Sequence, residues 1–171
     1  ALANLLASDG ELYYWPRFYS AEKADAYFDR LYRELAWRRE QLFIYGRWVN
    51  VPRLMTWYGD PSARYRYSGV DHRPLPWTAD LQTLRGDVET ICNAAFNSVL
   101  ANLYRDGRDS MGCHADNEKE LGQNPLIASL SFGDSRVLRF KHLETGQKLD
   151  LDLNHVDLLV MAGELHHRWR H

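Results

Sequence analysis

His114-Ala115-Asp116 is the sharpest chemistry-bearing pattern in this sequence of 171 residues. On a strand or strand end, residues two apart face the same side, so an imidazole nitrogen and a carboxylate oxygen can meet one metal ion. A second histidine from a distant strand would complete a face of two histidines and one carboxylate. Such a face leaves positions on an octahedral iron for a co-substrate and oxygen. His166, His167 and His171 are the candidates for that second histidine, and spacing alone does not choose among them. An HxD pair also arises by chance, with a surface aspartate beside a core histidine. No glycine-rich phosphate loop, GxSxG elbow or HExxH zinc helix competes with it.

A second chemistry lies in the arginines, which make up 17 of the 21 Lys+Arg. Between Arg30 and Arg73, nine arginines stand against four acids (Glu34, Glu40, Asp60 and Asp71), a local balance of +5. Aromatic residues from Tyr32 to Tyr67 are interleaved with them, Trp37, Phe43, Tyr45 and Trp48 included. Guanidinium forks suit phosphate and aromatic faces suit bases, which makes residues 40–76 a candidate nucleic-acid-recognition region. The alternative is an ordinary aromatic core with solvated arginines. The formal net charge of -2 excludes a histone-like or basic-arm protein, although a near-neutral total can hide a basic face.

The elements that must position these residues follow from periodicity and punctuation. Residues 11–18 read as a short strand stopping at Pro16. Ser20 caps a helix over about 21–35, with Ala24, Tyr27, Phe28, Leu31 and Leu35 at helical spacing. Residues 41–48 read as a strand or hairpin turning at Gly46, and 50–76 as short strands and long surface loops. Thr78 caps a second helix whose inner face carries Leu81, Leu84, Val88, Ile91, Cys92 and Ala95. Strand-like segments follow at 99–104, 126–132, 136–142, 148–153 and 156–161, separated by turn residues. The expected fold class is α+β, with two helices in the N-terminal half backing an antiparallel sandwich. One domain over 1–171 is expected, with 1–10 as a tail. Cys92 and Cys113 are too few for a disulfide scaffold or thiolate cluster. No apolar run is long enough to cross a bilayer, and ALANLLASDG has no basic leader, so the expected compartment is a reducing cytoplasm with no membrane partner.

Several ordered segments together resemble the AlkB family of Fe(II)- and 2-oxoglutarate-dependent dioxygenases, which remove alkyl groups from nucleic-acid bases. They are Asn102-Leu103-Tyr104-Arg105-Asp106-Gly107, the stretch from His114 to Glu120, and Ile127-Ala128-Ser129-Leu130-Ser131-Phe132-Gly133. Val51-Pro52-Arg53, Tyr58-Gly59-Asp60 and Tyr67-Ser68-Gly69 are similar to the family's substrate-side segments. The resemblance is strongest to the duplex-DNA-repairing branch and covers roughly residues 12–171.

The resemblance implies a double-stranded β-helix of the jelly-roll, cupin-like kind, with Fe(II) held by His114, Asp116 and His171. The last matches the final histidine of His167-Arg168-Trp169-Arg170-His171. It implies that Asn102 and Tyr104 bind 2-oxoglutarate, an amide and a phenol suited to a keto-acid head. It places Glu118 at the base edge, where a carboxylate accepts from an exocyclic amino group, and Tyr67 as a stack on the flipped base. Tyr45 would wedge into the gap left by that base, and Arg53 would contact phosphate or the base gap. The implied reaction is oxidative demethylation of N1-methyladenine and N3-methylcytosine, releasing succinate, carbon dioxide and formaldehyde. The implied partner is DNA, single- or double-stranded, with RNA a further candidate, and the expected state is a monomer. Two other classes stay open: a nucleic-acid-binding protein with an incomplete oxygenase site, and a dioxygenase acting on RNA or protein. The family pattern also continues past His171, through strands carrying an arginine for the distal carboxylate of 2-oxoglutarate. C-terminal strands are therefore expected to be absent from this sequence, leaving a sheet edge unpaired.

Overall fold

The computed structural model describes residues 3–67, 70–112, 114, 116 and 124–171, except the side chains of 65–67, 70 and 71. The chain divides into two compact units, residues 1–30 with 112–171 and residues 31–111.

In the first unit, strand β1 (Glu11–Trp15) precedes helix α1 (Ala21–Glu34). Ser20 Oγ accepts from the Lys23 amide, the expected cap, and Ala24 and Tyr27 form the buried stripe of α1. After the crossover through the second unit come β7 (Ile127–Leu130), β8 (Arg136–His142), β9 (Lys148–Leu153), β10 (Leu158–Ala162), the short helix α3 (Leu165–Arg168) and β11 (Trp169–Arg170). They build two three-stranded antiparallel sheets, ordered β1-β10-β7 and β11-β8-β9.

The register explains why these sheets pack face to face. Leu12 stands opposite Met161 and Tyr14 opposite Leu159, while Phe140 stands opposite Leu149 and Leu138 opposite Leu151. Period-two alternation sends each of these rows to one face. The rows meet in one core with Leu6, Leu153, Leu165 and Trp169. Leu12, Phe140, Leu159 and Leu165 are fully excluded from solvent, worth about 1.5–3 kcal/mol each relative to exposure.

This overturns the expectation that C-terminal strands are absent. Five strands, β7 to β11, occupy residues 127–170. The C-terminal segment finds its ladder partners within the chain, with β10 central in one sheet and β8 central in the other. The alternation in Lys148-Leu149-Asp150-Leu151-Asp152-Leu153 buries leucines on one side and leaves Asp150 to hold Arg139 on the other, at 2.7 and 2.9 Å.

The N-terminal segment is tied to this unit. Asn4 Oδ1 accepts from the amides of Leu6 and Leu12, and His142 Nε2 lies 2.8 Å from Asp9 Oδ2. Because His142 Nδ1 accepts from the amides of Glu144 and Thr145, Nε2 carries the proton and donates to Asp9. The buried carboxylate of Asp157 accepts from the Tyr14 hydroxyl and the amides of Arg17 and Asn154. Desolvation, followed by the hydrogen bond to Asp157, pushes the Tyr14 phenol up to about 12.

In the second unit, β2 (Arg38–Ile44), β3 (Arg47–Gly59) and β6 (Ser98–Leu103) form an antiparallel sheet in the order β2-β3-β6. Strands β4 (Tyr65–Tyr67) and β5 (Val70–His72) form a two-stranded ribbon. Helix α2 (Ala79–Cys92) buries Leu81, Leu84 and Val88, and Thr78 Oγ1 accepts from the Leu81 amide at 3.2 Å. Ile91, placed on the inner face by spacing, is 44% exposed. The 13 residues of β3 replace the short strands and loops expected there. Gly59 lets β3 approach β6, since a Cβ there would lie 2.7 Å from Asn97 O. Among the described residues, no helix is long and apolar enough to cross a membrane.

Candidate metal centre and nucleic-acid interface

The first unit brings together three of the expected residues. His114, Asp116 and His171 each offer one ligand atom, and these atoms lie within 4.8 Å of one another. That is close to the spread a first-row ion with bonds of about 2 Å would draw together. Backbone pairing sets the geometry. His114 N donates to His171 O and His171 N to His114 O, both at 2.8 Å. This reciprocal exchange is the hydrogen-bonded pair of an antiparallel ladder, and it holds the two rings with centroids 4.4 Å apart.

The carboxylate divides its oxygens between the rings. Asp116 Oδ1 lies 3.5 Å from His114 Nε2, and Oδ2 lies 3.4 Å from His171 Nε2. His114 Nδ1 is 3.0 Å from the Gly112 carbonyl. A carbonyl only accepts, so the proton sits on Nδ1 and Nε2 is left with the lone pair a metal needs. Burial pushes the Asp116 carboxyl up, but the neighbouring His114 and His171 rings outweigh it and hold the group well below the usual carboxylate range. A charged carboxylate and two neutral rings are the donor set a divalent cation requires. The His171 side chain is only 6% exposed, its ring 5.4 Å from that of Phe140.

Of the other late histidines, His166 lies on α3, fully buried with neither ring nitrogen bonded, and His167 is exposed. Neither belongs to the ligand cluster.

In the second unit, Asn102 lies on β6 opposite Met55, and Tyr104 follows the end of that strand. Arg53 is 8% exposed. Its Nε donates to Asn102 Oδ1 at 3.0 Å, and its Nη1 reaches Ser110 O at 3.5 Å. Sequence reasoning placed Arg53 toward phosphate or the base gap and did not foresee this pairing, because nothing in Val51-Pro52-Arg53 reports the strand that lies beside it. Asp60 accepts from Trp77 Nε1 at 2.9 Å and from Arg85 at 3.3 Å, and Arg85 stacks on the Trp77 ring. Tyr67 is in β4, with its side chain outside the described residues, and Glu118 is outside them altogether.

Tyr45 and Gly46 form the two-residue turn between β2 and β3, with φ of 51° and 76°. Positive φ at both positions is the tight-hairpin geometry matched to strand twist. The hairpin leaves the Tyr45 side chain wholly in solvent, with Phe43, Ile44 and Trp48 also exposed around it. Phe43 and Trp48 stand opposite each other, their ring centroids 5.3 Å apart. This is an apolar tip on a strand pair that carries Arg38, Arg39 and Arg47.

Comparison with known proteins agrees with this geometry. The family model described as the 2OG-Fe(II) oxygenase superfamily matches residues 11–171. The DNA oxidative demethylase ALKBH2 of Bos taurus is 35% identical over 87% of this chain and 58% of its own length. The alpha-ketoglutarate-dependent dioxygenase alkB homolog 3 of Bos taurus is 34% identical over 91% of this chain and 57% of its own. The ALKBH2 of Mus musculus is 35% identical, with 87% of this chain and 68% of the relative covered. The chain thus spans somewhat under three fifths of the two bovine relatives, and its identity to the two kinds of relative is level. With a His-x-Asp and a distant histidine converging in the matched span, the chain belongs to the 2OG-Fe(II) oxygenase superfamily and, within it, to the AlkB family.

Proposed function

We propose that the protein is an Fe(II)- and 2-oxoglutarate-dependent dioxygenase that demethylates alkylated nucleic-acid bases, DNA foremost. The observation that carries this reading is the convergence of His114, Asp116 and His171 within 4.8 Å. The relative named as a DNA oxidative demethylase supplies the substrate class. Bound iron, with 2-oxoglutarate and dioxygen, supplies oxidation of an N-linked methyl group, which then leaves as formaldehyde.

The chain's own residues do the rest. His114 presents Nε2 because Gly112 holds its Nδ1 proton, and Asp116 contributes the negative charge that offsets the cation. Asn102 and Tyr104 bind 2-oxoglutarate. Arg53 is donor-only, so the Asn102 atom facing it must be the oxygen, and the amide N–H groups are left to donate to a carboxylate. The substrates are N1-methyladenine and N3-methylcytosine, whose cationic rings suit Glu118 at the base edge and Tyr67 as a stacking face. The duplex-repairing assignment rests on Tyr45: a fully exposed ring at a tight turn is shaped to fill the gap left by an extruded base.

Incubating methylated DNA and RNA oligonucleotides, single- and double-stranded, with the protein, Fe(II), ascorbate and 2-oxoglutarate tests this by mass spectrometry. Loss of one methyl from DNA with matching formaldehyde is expected. Unchanged oligonucleotides that nevertheless bind the protein would favour a nucleic-acid-binding role over the enzymatic one.

A further inference from the structure

We propose that His166 is the hydrogen-bond acceptor for the Nδ1 proton of His171, which makes it a positioning residue of the metal centre. The proposal rests on the assignment of His114, Asp116 and His171 as ligands. The two ligand rings are unequally supported. His114 faces Asp116 with Nε2 and has the Gly112 carbonyl at Nδ1. His171 also faces Asp116 with Nε2, but its Nδ1 is buried and without a partner. A metal-bound imidazole nearly always donates its other N–H, which fixes its tautomer and orientation. Water cannot take that role here, because the atom has almost no accessible surface.

His166 offers the missing acceptor. It is fully buried, and both of its ring nitrogens lack partners. A neutral imidazole always keeps one acceptor lone pair. The rings of His166 and His171 are T-shaped, with centroids 5.7 Å apart and planes at 65°, so turning the rings toward each other, with an approach of about half an ångström, brings nitrogen to nitrogen within hydrogen-bond range. One bond would then pair two of the three unpartnered histidine nitrogens among the described residues. Among the described residues of this unit, the further buried side-chain nitrogen without a partner, Trp169 Nε1, only donates, and the Trp169 ring sits edge-on against His142 at 4.9 Å.

The test is Co(II) titration of the metal-free protein, followed by its visible absorption, in wild type, His166→Leu, His166→Gln and His171→Ala. His166→Leu should bind Co(II) about 10–100-fold more weakly, the usual cost of losing an outer partner of a ligand. His166→Gln should restore most of that affinity through its amide oxygen. Should His166→Leu fail to fold, His166→Gln and a long-range 1H–15N spectrum of the Zn(II)-loaded wild type decide. A hydrogen-bonded, slowly exchanging His171 Nδ1 proton is expected there, and a rapidly exchanging one would overturn the proposal. Co(II) affinity in folded His166→Leu within twofold of wild type would also overturn it. If His171→Ala binds Co(II) as wild type does, the ligand assignment itself fails. If His171→Ala loses Co(II) and His166→Leu does not, only the role of His166 is refuted.

Discussion

Arg53, 8% exposed on β3, donates its Nε to Oδ1 of Asn102 on β6 at 3.0 Å. A guanidinium has no acceptor, so the contact fixes which end of the amide points away. Arg53→Met frees that amide to turn, and KM for 2-oxoglutarate should rise about tenfold, roughly 1.4 kcal/mol, with kcat little changed. Steady-state succinate formation measures it, with Asn102→Ala as the upper bound. An unchanged KM in both variants would remove Asn102 from the co-substrate site.

Asp116 is the charge on which the metal site depends, each of its oxygens serving a different imidazole. Asp116→Asn keeps the shape and removes the charge. Fe(II) affinity should fall by about two orders of magnitude, near 3 kcal/mol, and formaldehyde release should vanish. Anaerobic Fe(II) titration reads the first effect separately from turnover.

His166 gives stability a pH dependence. Desolvation pushes its ring down to about 4 from an ordinary value of 6.5. Between those values the unfolded chain binds more protons than the folded one, so stability falls as pH drops through that window, by up to about 3 kcal/mol. Urea unfolding at pH 7 and pH 4.5 should show that loss in wild type. In His166→Gln the difference should shrink by most of that amount, since the amide does not titrate. Equal acid losses in the two proteins would mean that His166 is not held neutral by burial.

Tyr45 can be tested without damaging the turn it sits in. Its φ of 51° suits asparagine better than tyrosine, and its ring touches only solvent. Tyr45→Asn should leave the melting temperature unchanged or slightly higher. Demethylation of duplex substrate should drop several-fold while single-stranded substrate is processed as before. Parallel losses on both substrates would speak against the wedge.

Thr78 and the spacing of Leu81, Leu84 and Val88 made α2 legible, because a capping hydroxyl and a one-sided helix are local signals. Strands β8 and β9 were legible for the same reason, through strict alternation. Strand β3 was not. Met55 to Gly59 are all buried, and alternation disappears when both faces of a strand are covered, while Pro52 reads as a breaker. The strands near the C-terminus were visible as segments, yet the family pattern suggested an unfinished sheet. Their pairing with one another is a long-range fact that no local window contains. At the site, His114 and Asp116 stood out by type and spacing, whereas choosing His171 needed the resemblance. The Gly112 carbonyl that sets the His114 tautomer could not be foreseen, since every residue carries a carbonyl and only the fold selects one.

The antiparallel bond pair between His114 and His171 joins positions at opposite ends of the C-terminal third of the chain. An ion shared by those two rings would therefore be a cross-link, whatever chemistry it also supplies. Free metal at a hundred times the dissociation constant adds about 2.7 kcal/mol to the folded state, within the range of about 2–4 kcal/mol typical of a disulfide. Iron supply would then govern how long the protein survives proteolysis as well as how fast it turns over. Starvation for the metal would remove idle copies from the cell as well as silencing them.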